Sequence, residues 1–237
     1  MDELDTGQHA GTAPLRPTTG WGVLHLFCAV HPDTDTEAVS TAVKAFQAGD
    51  QQVVTAALLG HKADLCVMAL GPDWVPLRSL QTALQQAGLG LAHSYVSLTE
   101  VSEYAKGLPE ELRAARLYPR LPPAGKRAFC FYPMSKRRGE VHNWYATAYE
   151  ERKELMLGHG KTGREFAGRV LQLITGSTGV DEYEWGVTLF AVHPDDLKEV
   201  VYTMRFDEAS ARFAEFGPFY TGIVAEVEEV LSLVTLR

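Results

Sequence analysis

Two short stretches of this 237-residue chain hold side chains that could do chemistry. In Cys130-Phe-Tyr-Pro-Met-Ser-Lys-Arg-Arg138, a strand carrying Tyr132 ends at a proline and three consecutive cations follow. In Gly158-His-Gly-Lys-Thr-Gly-Arg164, His159 stands between two glycines. The absence of Cβ on either side lets a large flat ligand approach closely, and a neutral imidazole is a common ligand of haem iron. Lys136, Arg137 and Arg138, with Arg152, Lys161 and Arg164 around the histidine, suit a ligand bearing several carboxylates, since a charge-assisted hydrogen bond is about twice as strong as a neutral one. Taken singly, each feature has a plainer explanation: a lone histidine more often sits at a helix end or in solvent, and a short cation run is more often a solvated face.

The other candidates are weaker. His31 and His193 occupy equivalent turn positions of an internal repeat, and His9 falls in the polar N-terminal stretch; His25, His61, His93 and His142 have no supporting cluster. No HxxxH or HExxH spacing occurs, so an iron or zinc site made of side chains alone is not expected, whereas a porphyrin-borne iron needs one axial residue. Cys28, Cys66 and Cys130 sit in apolar runs without paired spacing and read as buried thiols. The chain carries a net charge of −8, which argues against nucleic acid as a partner. Between Lys126 and Arg169, however, ten Lys or Arg face five Glu, leaving +5 there and −13 elsewhere, the pattern of an acidic protein with a site for a small anion. No apolar run approaches 18 residues and no signal-peptide pattern opens the chain, so a cytoplasmic protein is expected.

The elements that must position these residues are legible from a repeat. Trp21-Gly-Val-Leu-His-Leu-Phe-Cys-Ala-Val-His-Pro-Asp33 recurs, two residues shorter, as Trp185-Gly-Val-Thr-Leu-Phe-Ala-Val-His-Pro-Asp195. Each copy is a strand stopped by a His-Pro-Asp turn and followed by a helical pattern, so two related halves are expected. Residues 1–20 read as a disordered tail, 21–107 as the first half, 108–125, with four prolines, as a connector, and 126–237 as the second half. The first half predicts helices over 36–48 and 77–87 and strands over 53–59, 65–70 and 90–98. The second predicts a strand over 128–133, a long helical region over 143–174, helices over 195–202 and 208–213, and a closing strand over 216–224. This is an α+β chain of two ferredoxin-like halves.

These segments together, with Asn143-Trp-Tyr, Glu150-Glu-Arg and Met204-Arg-Phe-Asp-Glu-Ala-Ser-Ala-Arg-Phe-Ala-Glu-Phe-Gly217, closely resemble the coproheme decarboxylases of the chlorite-dismutase-like superfamily, over about residues 21–222. The resemblance implies a dimeric α+β barrel of two ferredoxin-like halves, a homopentamer, and one porphyrin per subunit in the second half. It implies peroxide-dependent decarboxylation of two propionates of iron-coproporphyrin III (coproheme) to give haem b. By the matching motifs His159 is the axial iron ligand and Tyr132 the redox tyrosine, whose radical takes hydrogen from the propionate carbon nearest the ring. Lys136, with Met134 nearby, and Ser210 anchor propionates, with Tyr145, Arg137 and Arg138 less closely matched, and Gln172 faces the open side of the ring. A neutral Gln172, where chlorite dismutases look to need arginine, disfavours chlorite, since an anionic oxidant calls for a positive group. No histidine lies between His93 and His142, so the branch with a distal histidine base is not matched, and whether water, Arg116 or His142 assists peroxide stays open. A haem b chlorite dismutase or peroxidase and a non-catalytic haem-binding chaperone remain the alternatives, and a ferrochelatase is the implied donor of coproheme.

Overall fold

The computed structural model describes residues 12–105 and 107–235. In the first half the chain runs β1 (Gly22–Ala29), α1 (Thr36–Gln47), β2 (Gln52–Leu59), β3 (Leu65–Gly71), α2 (Trp74–Gln86) and β4 (Gly90–Thr99). A helix α3 (Glu110–Leu117) follows, then β5 (Ala128–Lys136), α4 (Tyr149–Arg164), β6 (Val170–Gly176), β7 (Trp185–Ala191), α5 (Pro194–Met204), α6 (Glu208–Phe213), β8 (Ala214–Phe216), β9 (Tyr220–Ala225) and α7 (Val227–Thr235). The result is a mixed α+β fold whose strand pairings are all antiparallel.

Local sequence explains the elements. Helix α1 starts where the Asp35 carboxylate accepts the Ala38 amide at 2.9 Å, and it buries Val39, Val43 and Phe46, spaced four and three apart on one face. Strand β1, Gly-Val-Leu-His-Leu-Phe-Cys-Ala, is buried through its first seven residues because both its faces are covered, which is why it reads as a continuous apolar run rather than an alternation.

The pairings close a ring: β4, β1, β3, β2, β9, β5, β7, β6 and back to β4. Two seams join the halves. At one, β2 and β9 align from Thr55 opposite Ala225 to Leu59 opposite Thr221, and Gly222 lies so close to the Ala57 carbonyl that any Cβ there would collide. At the other, β4 meets β6 in only two pairs, Leu98 with Gly176 and Thr99 with Thr175. Side chains reinforce this seam: Tyr95 Oη bonds Ser177 Oγ, the Val96 amide donates to Asp181 at 2.8 Å, and Trp185 Nε1 donates to Glu100 at 3.2 Å. Inside the ring pack Phe27, Met68, Tyr95, Phe129, Phe131, Phe190 and Tyr220. His25, wholly buried, reaches across from β1 to bond Thr188 Oγ1 of β7 at 3.0 Å. Outside it, α1 and α2 cover the strands of the first half and α5 those of the second, while α7 crosses over to pack with α1 and β2.

The structure departs from these expectations in five places. The region 143–174 is not one helix: α4 ends at Arg164, Gly168 turns the chain at φ 86°, and β6 begins at Val170. The closing strand is two, β8 and β9. Helix α7 was not foreseen, and the connector 108–125 contains α3. Of the tail over 1–20, residues 1–11 lie outside the described residues, but Leu15 is pinned: its amide donates to Asp73 Oδ1 at 3.1 Å and its carbonyl accepts from the Trp74 amide at 3.0 Å. The three cysteines are free and buried, as read.

Candidate functional site on the outer face of the second half

Strands β6, β7 and β5 turn alternate residues outward. Cross-strand register places Ile174, Val187 and Tyr132 in one row and Gln172, Leu189 and Cys130 in the next. Tyr132, Met134 and Lys136 follow one another at every second position of β5, so they share this outer face. At ~3.3 Å per residue the tyrosine and lysine positions are ~13 Å apart along the strand. Helix α5 packs on β5, β6 and β7, α4 packs against α5 and α6, and His159 is on α4.

His159 is held firmly. Its Nδ1 lies 3.1 Å from Asp207 Oδ2, and Ser210 Oγ is 3.4 Å from the same nitrogen. A carboxylate can only accept, so in the neutral imidazole Nδ1 carries the proton and Nε2 keeps its lone pair free for a ligand, the arrangement usual in metal-binding histidines. Asp207 caps α6, taking the Ser210 amide at 3.2 Å, which fixes the acceptor that fixes the ring. Burial pushes the Asp207 carboxyl up, but the bonds from His159 and Ser210 outweigh it and hold the group below its ordinary value. Around His159 the helix keeps room: a methyl added at Gly158 meets nothing within 4 Å, and one added at Gly160 meets only Arg164 Nη1 at 3.5 Å. Glycine inside a helix costs about 1 kcal/mol relative to alanine. Packing within the chain does not require these two, so they leave open surface beside the imidazole.

Lys136 is the cation that the fold draws into this site. It is 6% exposed, with Nζ 4.5 Å from the Trp144 ring centroid and 3.5 Å from the Ala209 carbonyl. Burial lowers its ammonium and the Asp207 and Glu184 charges oppose this, with a net value of about 8. Glu184, also buried, accepts the Lys136 amide at 2.7 Å and lies beside the Tyr145 phenol. Burial first, then Glu184, raises that phenol above its ordinary value.

Tyr132 is buried, stacked on Phe219 at 4.4 Å and met edge-on by Phe216 at 5.6 Å. Burial raises its phenol well above the ordinary value, with Arg205 opposing. Met134 packs beside it. Gln172 comes to α4 one turn beyond His159, with Nε2 3.7 Å from where a Cβ of Gly163 would stand.

The structure thus links His159, Ser210 and Lys136 through Asp207, links Lys136, Met134 and Tyr145 around Glu184, and sets Tyr132 and Gln172 on the same outer face. It disperses the other cations. Arg137 pairs with Glu215, Arg152 bonds Tyr104 and the Thr147 carbonyl, Arg127 pairs with Glu229, and Arg169 with Asp196 and Glu199. Of the expected many-cation cradle, Arg137 and Arg152 are thus engaged elsewhere, Lys136 is buried in the site, and the Arg138 charge acts on the Tyr145 phenol. Two carboxylates, Asp207 and Glu184, were missed. Asp207 had a signal, an aspartate three residues before Ser210 at the head of a short helix; Glu184, two residues after Glu182, had none. Among the described residues no three His, Cys, Asp or Glu group to hold a metal ion, and no helix is long and apolar enough to cross a membrane.

Comparison with known proteins agrees with this architecture. The family model described as chlorite dismutase matches residues 34–225. The coproheme decarboxylase of Staphylococcus carnosus is 41% identical over 88% of this chain and 93% of its own length. A candidate heme-binding protein of Natronomonas pharaonis is 40% identical over 90% of this chain, which spans 40% of that longer protein. Among solved structures, a heme-binding protein from Thermus thermophilus superposes with a TM-score of 0.82 at 36% identity, covering 94% of this chain and 99% of that one. A chlorite dismutase from Candidatus Nitrospira defluvii, at 17% identity and TM-score 0.75 over 93% of this chain and 97% of that one, shares the fold.

Proposed function

This chain belongs to the chlorite dismutase family, and from that premise we propose that it is a peroxide-dependent coproheme decarboxylase. Its substrate is iron-coproporphyrin III, two propionates of which become the vinyl groups of haem b. Each propionate loses carbon dioxide and two hydrogen equivalents, which reduce one peroxide to two waters. The observation that carries this reading is the outer face of β5, where a buried phenol at 132 and a buried ammonium at 136 share one strand face beside an imidazole anchored by a carboxylate.

The residues fit an iron porphyrin. His159 Nε2 would ligate the iron, the glycines at 158 and 160 leave room for a flat ring, and Lys136 with Ser210 and Tyr145 would hold propionates. When bound, the iron porphyrin supplies the oxidising equivalents taken from peroxide. The chain's own part is to position and to relay. Burial keeps the proton on Tyr132 Oη, so electron and proton leave together, and Phe216 and Phe219 shield the resulting radical from water. Lys136 orients a carboxylate so that the carbon nearest the ring meets that oxygen. Gln172 places a neutral amide, not a cation, on this face, which suits peroxide rather than chlorite.

Tyr132→Phe is the direct test. The variant is expected to bind coproheme as the parent does and to yield no haem b, with mass spectrometry of the bound porphyrin showing neither loss of carbon dioxide on addition of peroxide. Undiminished conversion would remove Tyr132 from the reaction, and oxygen release from chlorite would redirect the assignment.

We take the two halves as ferredoxin-like modules, each running β-α-β-β-α-β, with α6, β8 and α7 added in the second. The subunits are taken to assemble as a homopentamer. A ferrochelatase that docks to deliver coproheme, and a cytoplasmic site of action, complete the proposal; three buried free thiols suit a reducing compartment.

A further inference from the structure

Around the lysine the residues converge on a carboxylate that the reaction above does not use. Glu184 lies in the turn before β7 and is 6% exposed. One of its oxygens accepts the Lys136 amide at 2.7 Å, and its own amide donates to the Met134 carbonyl at 3.1 Å and to Ser135 Oγ at 3.3 Å. Its carboxylate lies beside the Tyr145 phenol, and its charge acts on the Lys136 ammonium. Burying a carboxylate is costly unless it is paired, so a group that merely closed a turn would have no reason to be here. The Lys136 ammonium rests on the Trp144 ring and near the Ala209 carbonyl, neither of which carries a charge. What keeps it cationic must therefore come from further out.

The groups facing it are few. Glu184 stands before β7, Asp207 heads α6, and Tyr145 sits in the turn after β5. His159 of α4 reaches it only through Asp207. Arg137 turns away to Glu215 of β8, and His142 packs edge-on against Phe213.

We infer that Glu184 is a positioning residue that fixes the Lys136 backbone and keeps its ammonium charged for recognition of a substrate carboxylate. This rests on the reading of Lys136 as a propionate anchor. The sign follows from the lysine: its charged form binds the carboxylate, so affinity is full between the carboxylate range and the Lys136 midpoint, about 8 in the ligand-free protein, and is lost as pH rises through that midpoint. Removing the Glu184 charge lowers that midpoint.

Nitrogen NMR of Lys136 Nζ in the ligand-free protein reads the midpoint directly. Glu184→Gln is expected to lower it by about one unit or more, while Glu184→Asp, which keeps the charge, stays nearer the parent. Coproheme titrations at pH 7.5 should then show about threefold weaker binding by Glu184→Gln, the fall in charged lysine that a one-unit shift produces. Lys136→Arg, whose guanidinium stays charged, should abolish the pH dependence near the lysine midpoint and make an added Glu184→Gln nearly silent. An unmoved midpoint in Glu184→Gln, or an equal loss of affinity in the Lys136→Arg background, overturns the inference. Lys136→Arg leaves Glu184 untouched, so persistence of the pH dependence in that variant also overturns it, even if the Gln variant does not fold. Failure of the parent protein to bind coproheme at any pH would instead sink the proposed function, and the nitrogen titration would still decide what Glu184 does.

Discussion

Asp207 is a small residue with a large share of the site, because one carboxylate caps α6, orients the His159 ring and acts on the Lys136 ammonium. Partners of this kind are worth about 10–100-fold in ligand affinity. Asp207→Ala should weaken iron-porphyrin binding by about that factor, read as a shifted half-saturation in absorbance titrations, and it should shorten α6 by removing its cap. The sequence singled out His159 and Tyr132 because the motifs around them closely resemble those of a family. Asp207 was not, because the bond that makes it matter joins positions 159 and 207, and nothing in linear spacing reports that two side chains meet. The cation-rich segment misled for the same reason: composition counted Arg127, Arg137 and Arg169 alongside Lys136, but their acceptors lie on other elements.

Helix α4 carries a local cost for the ligand's benefit. Gly158 and Gly160 weaken a helix whose neighbours do not demand them. Gly158→Ala should raise the stability of the ligand-free protein by about 0.5–1 kcal/mol, measured by urea unfolding, and should weaken porphyrin binding in the same preparation. A gain in both would show that the space is not used. The repeat starting at Trp21 and Trp185 located β1 and β7 correctly, since a run stopped by His-Pro-Asp is punctuated at a definite residue. Strand β6 was lost inside an expected helix because Phe166, Val170, Leu173 and Ile174 also fall at helical spacing. Gly168 at φ 86° was the stop signal, and a single glycine following three others in α4 did not stand out. Helix α7 has Val227, Val230, Leu231 and Val234 on one face, but its β-branched content hid the period.

At the scale of the molecule the ring has a titratable group at its centre. Burial lowers the His25 imidazole to about 3 from 6.5, so the folded state keeps it neutral while the unfolded chain takes a proton below 6.5. Its contribution to stability is therefore present above that value and lost as pH falls, by about 2.5 kcal/mol between pH 7 and pH 4.5. Urea midpoints across that range should fall accordingly for the parent, and His25→Gln, which can still bond Thr188, should flatten the slope. The residues themselves foretold only two related halves, and the barrel came from the family resemblance, because seam pairing is decided by strands far apart in the chain. The two seams also differ in what can break them. Five main-chain residue pairs align β2 with β9, and Thr55 Oγ1 donates to the Ala225 carbonyl across them at 2.6 Å. Across β4 and β6 the work falls to Tyr95, Ser177, Asp181, Glu100 and Trp185. Heritable change can therefore loosen the cylinder more readily on one flank than on the other, and that flank is the one bordered by the strand that carries Gln172.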